Sequence, residues 1–330
     1  MPQLRSSPTR RLTLAALALS SLLLAQNTPI PNPLNPPTQK VQAVTDTYNE
    51  IDDQYAVALA ILSPDRMEIE ATYAAPYLNN RSTSPADGME KSYQELHRIL
   101  KFLGRDPEKL AHRGSTKFLE SATKAVDSPA ARDLIRRALQ PRPSPLYVIT
   151  LGAPTNVASA LLLEPKIKDH IVVVWLGGTS HDSPSASEFN LKQDLHASRI
   201  LFDSGVPLVQ IPTRNGAERL RTTVPELERH MKGRSRLGDY LFAQFLEYEK
   251  TETKGKPANY PWSKVIWDIS AVAWIINPKW LPSTLVPSPW LTDDLHWKQL
   301  PNRHQIRVIT DLQRDAIFHD LFEKLARSGN

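Results

Sequence analysis

The 330-residue chain contains no cysteine. That absence excludes disulfides, zinc–thiolate centres and thiol nucleophiles together. It is compatible with an oxidising compartment, because a large core needs no covalent staple and a thiol-free chain cannot mispair. Two phosphate-binding signatures are also missing, the Gly-x-x-x-x-Gly-Lys loop and the Gly-x-Gly-x-x-Gly turn. The nine histidines include no His-Glu-x-x-His or comparable ligand spacing, which argues against zinc. No internal repeat is present. The formal charge is only +5, and three of the excess positive residues, Arg5, Arg10 and Arg11, lie in an acid-free N-terminal stretch. Nucleic-acid binding therefore gets no support from charge.

A stable membrane span is not expected. The apolar run from Leu12 to Ala25, interrupted only by Thr13, Ser20 and Ser21, has fourteen residues, whereas a spanning helix needs about 20. Preceded by the basic stretch Arg5 to Arg11, it reads as a signal peptide over residues 1–25, with Leu23 and Ala25 at the positions a signal peptidase inspects. No cysteine follows to carry a lipid. Thr9-Arg10-Arg11-Leu12-Thr13-Leu14 also resembles a twin-arginine signal, although an ordinary positive n-region explains it more simply. The expectation is export, periplasmic or secreted, by an open route. Residues 26–40 form a proline-rich linker, with five prolines and no charge between Gln26 and Gln39.

The folded domain is expected over residues 41–330. Strands are predicted at Val41 to Thr45, Met67 to Ala74, Leu146 to Leu151, Ile171 to Leu176, Pro207 to Ile211 and Gln305 to Thr310. Helices are predicted between them at Tyr55 to Leu62, Met89 to Leu103, Ala130 to Leu139, Val157 to Leu163, His196 to Phe202 and Ser270 to Ile276. Ile171-Val172-Val173-Val174-Trp175-Leu176 is apolar on both faces, as a strand covered by helices on two sides must be. The predicted fold is α/β, an open, mostly parallel, doubly wound sheet with helices on both faces. Pro225 to Thr251 reads as a charged helical insertion broken near Gly233.

In such a sheet, ligands gather outside the carboxyl ends of the strands. The first strand runs into Asp46, and the next helix begins inside Asn49-Glu50-Ile51-Asp52-Asp53. Four carboxylates at one turn repel each other, and a hard cation bound by oxygens relieves that repulsion. The same acids also suit a helix N-terminus, where negative charge is favourable. Three further segments carry polar groups to strand ends or helix starts. Thr150-Leu151-Gly152-Ala153-Pro154-Thr155-Asn156 is a strand end turning into a helix, whose carbonyls could ligate a metal. Leu176-Gly177-Gly178 closes the most apolar strand and is followed by Glu188-Phe189-Asn190, whose acceptors and amide suit sugar hydroxyls. Trp267-Asp268 precedes an apolar helix that Asp268 could cap.

Taken jointly and in this order, these segments resemble the inosine-uridine-preferring nucleoside hydrolase family, in the branch with an Asn-Glu-Ile-Asp-Asp run. The residues that carry the resemblance are Asp46 to Asp53, Leu151 to Asn156, Glu188-Phe189-Asn190 with Asp194, and Asp268. It implies calcium-dependent hydrolysis of an N-ribosidic bond in a small ribosyl substrate, and a homo-oligomer. Asp46, Asp53, the Leu151 carbonyl and Asp268 would hold the ion. Asp52, Glu188 and Asn190 would grip ribose, and Asp46 and Asp52 would be catalytic, Asp46 helping to deprotonate the attacking water. The chain departs from the family's pattern at Val44, where a first acid is usual, at Ala75-Pro76 in place of Gly-Asn, and at Trp267 in place of His. Trp267 suggests stacking on a base instead of protonating it. His181 is then the nearest replacement acid. A different alignment puts Tyr48 at the water-activating position.

Two other classes bear on the same residues. A ribose- or nucleoside-binding protein that kept the pocket without catalysis is suggested by the same three departures. A phosphatase with Asp-x-Asp after its first strand is excluded, because residue 48 is tyrosine.

Overall fold

The computed structural model describes residues 32–47, 50–257 and 259–328. The signal-peptide segment, residues 26–31 and Tyr48 with Asn49 lie outside the described residues. Eight strands form the central sheet: β1 (Val41–Thr47), β2 (Met67–Ala74), β3 (Ala111–His112), β4 (Leu146–Thr150), β5 (Ile171–Leu176), β6 (Leu208–Ile211), β7 (Ser283–Pro287) and β8 (Gln305–Ile309). Their order is β3-β2-β1-β4-β5-β6-β8-β7. Neighbours pair in parallel except β8 with β7. The chain winds outward from β1 to β3, then returns to lay β4 on the other side of β1. Such a reversal opens a crevice at the carboxyl ends of β1 and β4.

Alternation along β5 shows how one sequence builds two cores. Val172, Val174 and Leu176 enter one apolar cluster with residues of α1 (Asp52–Ile61), α2 (Pro85–Phe102), α9 (Ile269–Ile276) and α10 (Arg314–Arg327). Ile171, Val173 and Trp175 enter the other with α3 (Pro129–Ala138), α4 (Thr155–Leu163) and α6 (Leu195–Asp203). A side-chain period of two sends successive residues to opposite faces, so a wholly apolar strand is required. The five-residue α5 (Phe189–Gln193) leads into α6, and the charged insertion forms α7 (Val224–Met231) and α8 (Arg236–Glu252) on either side of Gly233.

The predicted strands agree with the observed ones to within two residues. Helix starts were placed late, by four residues in α2, because periodicity sees only the apolar turns. Its true start is set by Ser84, whose hydroxyl accepts the Asp87 N–H at 3.1 Å, with Pro85 in the first turn. β3, β7 and α10 were not anticipated. Where described, the proline-rich segment is docked on the domain. Leu34 is buried, and Arg307 and Arg66 donate to the carbonyls of Leu34 and Pro37 at 2.5 and 3.1 Å. Proline lacks an N–H but keeps its carbonyl, so such a segment can be held by arginines.

Candidate active site and metal centre

The crevice holds a cleft of about 340 Å³ lined mainly by residues from strand ends and helix starts. Asp52 and Asp53 open α1, Leu151 and Leu176 follow or end β4 and β5, Glu188 to Asn190 start α5, and Trp267-Asp268 precede α9. Asp52 and Asp53 do stand in the first turn of α1, where negative charge is favourable, but capping does not account for their contacts. Neither α1 nor α9 has a side-chain cap hydrogen bond, although Asp268 stands at the N-cap position. Asp53 instead accepts from Thr47 Oγ1 at 2.9 Å and the Glu50 N–H at 3.1 Å. Asp52 accepts the Trp267 N–H at 3.0 Å and faces Lys264 Nζ at 3.5 Å.

Oxygens of Asp52, Asp53 and Asp268 lie within 4.8 Å of one another, all three residues buried. Asp46 is not part of that group, which holds Asp52 in its place; it lies inside β1, which extends past it to Thr47. Burial pushes the Asp46 carboxyl up to about 7, opposed by the Asn156 amide, which donates to Oδ1 at 2.8 Å, and reinforced by Asp53. Burial likewise pushes Asp52 up to about 7, Lys264 opposing and Glu50 and Asp53 adding to the rise. Asp268 is driven well above the carboxylate range by burial and by Asp53 and Asp52. One oxygen of each of two acids, Asp46 Oδ2 and Asp268 Oδ1, is buried without a hydrogen-bond partner. Asp268 also lies in hydrogen-bond contact with Asp53. Two touching carboxylates and two orphaned oxygens require a proton or a cation between them. Carboxylates with a strand-end carbonyl are the donor set of a hard divalent ion, so the residues fit a metal.

The Leu151 carbonyl is fixed by Asn190, whose amide nitrogen donates to it at 2.8 Å and to the Leu176 carbonyl at 3.1 Å. Asn190 thus ties the ends of β4 and β5 together at the cleft floor. Glu188 is a true N-cap. Its carboxylate accepts the N–H groups of Asn190 and Leu191 at 2.9 and 3.0 Å, and that of Gly178 at 2.9 Å. Gly178 has φ of 70°, a conformation that favours glycine and turns its N–H inward. Burial raises the Glu188 carboxyl, and these backbone donors oppose the rise.

Residues 41–319 match the family described as inosine-uridine preferring nucleoside hydrolase. The chain belongs to that family. It is an N-glycosidic hydrolase, and nucleoside hydrolases are metal-dependent, in keeping with the buried acidic cluster. Relatives include the non-specific ribonucleoside hydrolase RihC of Escherichia fergusonii, 27% identical over 71% of this chain and 78% of the relative. The pyrimidine-specific ribonucleoside hydrolase RihA of Citrobacter koseri is 26% identical over 83% and 95%. Among solved structures, the plant nucleoside hydrolase PpNRh1 superposes with a TM-score of 0.68 at 18% identity, covering 88% of this chain and 99% of that one. The purine-preferring ribonucleoside hydrolase from Gardnerella vaginalis gives 0.65 at 21%, covering 87% and 98%.

Two predicted site residues, Asp46 and His181, fall outside the lining of the nucleoside hydrolase cleft. His181 Nε2 is hydrogen-bonded to Gln210 at 2.7 Å, and its ring packs on Trp297 at 5.0 Å. Burial lowers its pKa, with Gln210 and Asp182 opposing. Lining residues that sequence reasoning missed are Ser187, Thr213, Arg214 and Glu218. The strand-end rule finds Thr213 and Arg214, which follow β6. Lys264 was also missed. Its signal was a lysine directly before the apolar run Val265-Ile266-Trp267 that leads to Asp268.

Proposed function

We propose that this chain is an exported, calcium-dependent ribonucleoside hydrolase in which Asp46, Asp53, Asp268 and the Leu151 carbonyl hold the ion. The observation that carries this reading is the pair of orphaned oxygens, Asp46 Oδ2 and Asp268 Oδ1, beside the Asp52–Asp53–Asp268 cluster. An all-oxygen set built from carboxylates and a carbonyl favours calcium over softer ions. When bound, such an ion acidifies water and orients vicinal hydroxyls.

The protein's own groups then divide the work. Asp52, anchored by the Trp267 N–H, accepts from a ribose hydroxyl, with Glu188 and Asn190 lining the same cleft. Asp46 Oδ2 receives a proton from the water that attacks the anomeric carbon, while the C–N bond breaks and its electrons leave with the base. Buried carboxylates around the sugar favour the positive charge that builds on it. Trp267 offers a face for the base and no proton, so leaving groups that need no acid are preferred. The basic stretch and apolar run at residues 5–25 support export, and family resemblance supports a homo-oligomer, which light scattering of the purified protein checks.

The decisive test is incubation with calcium and a panel of nucleosides that includes aryl ribosides, following release of base or phenol. Release that stops on chelation, with aryl ribosides turned over fastest, is expected. Asp53→Ala and Asp268→Ala are expected to lose both calcium uptake and turnover. Undiminished activity after chelation and in both variants would overturn the reading.

A further inference from the structure

Lys264 is buried at the floor of the acidic cluster, an uncommon place for a lysine unless its charge is matched. It sits on a two-residue strand, Lys264–Val265, paired antiparallel with Arg221–Thr222, four residues before Asp268. Its ammonium has three hydrogens and reaches three acceptors: Glu50 Oε2 at 2.5 Å, Val265 O at 3.2 Å and Asp52 Oδ1 at 3.5 Å. The Tyr248 ring lies beneath it at 5.4 Å. Among the described residues, Asp46 and Asp268 form no ion pair.

The cluster is therefore divided. Asp52 is held on one oxygen by the Trp267 N–H and on the other by Lys264. Glu50, also at the cleft wall, is drawn to the same ammonium. Asp46 and Asp268 keep a buried oxygen for another cation. An acid already facing an ammonium is a poor ligand, because coordination would bring two cations against each other at low dielectric.

We propose that Lys264 is the positioning residue that sorts these acids, keeping Asp52 out of the metal's ligand shell and reserved for a substrate hydroxyl. This rests on the calcium-site reading above. Lys264 touches neither ion nor substrate and acts through Asp52. Its removal turns Asp52 from a hydroxyl acceptor into an additional ion ligand, which tightens the ion and weakens the sugar.

The test compares wild type, Lys264→Met and Lys264→Arg, with calcium affinity measured by calorimetry and terbium as a luminescent stand-in. Terbium decay in light and heavy water counts the waters left on the ion. In Lys264→Met, calcium is expected to bind about tenfold more tightly, and terbium to lose about one water as Asp52 enters its shell. KM for a turned-over riboside is expected to rise. Lys264→Arg keeps the charge and is expected to restore wild-type hydration. A merely structural lysine would loosen the ion on removal, the opposite sign. Calcium bound by wild type, with hydration unchanged or affinity weakened in Lys264→Met, overturns this inference alone. No calcium uptake by wild type overturns the metal-site reading and this one with it. Should Lys264→Met not fold, wild-type hydration in Lys264→Arg supports the division, and loss of a terbium water in that charge-preserving variant overturns it.

Discussion

Two groups of buried acid lie near β1 and β2, and they are finished in opposite ways. Asp133 in α3 is surrounded by partners: Arg136, Arg137 at 2.5 Å and the Tyr73 hydroxyl at 2.9 Å, with His112 at 3.5 Å. Neighbouring Glu70 faces Arg137 and Arg142 at 3.4 and 3.2 Å. Burial works to raise the Asp133 carboxyl, but hydrogen bonds from Arg137 and Arg136 outweigh it and hold the group below its ordinary value. In the crevice, Asp46, Asp52 and Asp268 are all raised, and two oxygens have no protein partner. Buried charge alone does not mark a site. A group of raised carboxylates with no cation of its own does, because a bound cation relieves their repulsion.

The sharpest way to break that contrast is to remove one acid from each group. Asp268→Ala is expected to cut turnover by at least about a thousandfold, equivalent to about 4 kcal/mol, in a base-release assay. In ion-free protein the same change relieves repulsion, so its melting temperature is expected to rise. Asp133→Asn is expected to do the reverse, lowering stability by about 3 kcal/mol in urea denaturation while the folded fraction keeps its activity. Its sign with pH follows from the depressed carboxyl. The contribution is fully present above the unfolded value, near about 4, and is lost as pH falls through the lower folded value. Wild type should thus lose stability in that window and Asp133→Asn should lose less.

Calcium sharpens the comparison further. At a hundredfold excess over its dissociation constant it is expected to stabilise the fold by about 2.7 kcal/mol, read as a higher melting temperature that chelator abolishes. Asp133→Asn should retain that increment, and Asp53→Ala should lose it. The smallest effect expected is for Trp267→Ala. Losing a stacking face costs about 1 kcal/mol, seen as a several-fold higher KM for nucleosides with little change in kcat.

The sheet and the acidic turn were legible in the sequence because both are local. β5 announces itself by six apolar residues, and Asp46, Asp52 and Asp53 lie within eight positions of one another. Asp268 and Leu151 needed the resemblance, since nothing local shows that they meet Asp53. What stayed hidden depends on contacts across the fold. Lys264 finds Glu50 over 214 positions, and no periodicity reports such a pairing. The contacts of His181 with Gln210 and Trp297 are likewise long-range and leave no local mark. β7 was missed because it is an edge strand with mixed burial, lacking the apolar continuity of the inner strands.

The docked proline-rich segment bears on how this enzyme could be handled. It reaches the body through Leu34 and Pro37, running into Val41 at the start of β1, and Arg66, which grips it, stands just before β2. The cleft opens where those same strands finish. A surface that bound the protein through Leu34 to Pro37 and the face around Arg66 would therefore hold it by the pole opposite the cleft, leaving the cleft mouth turned toward solution.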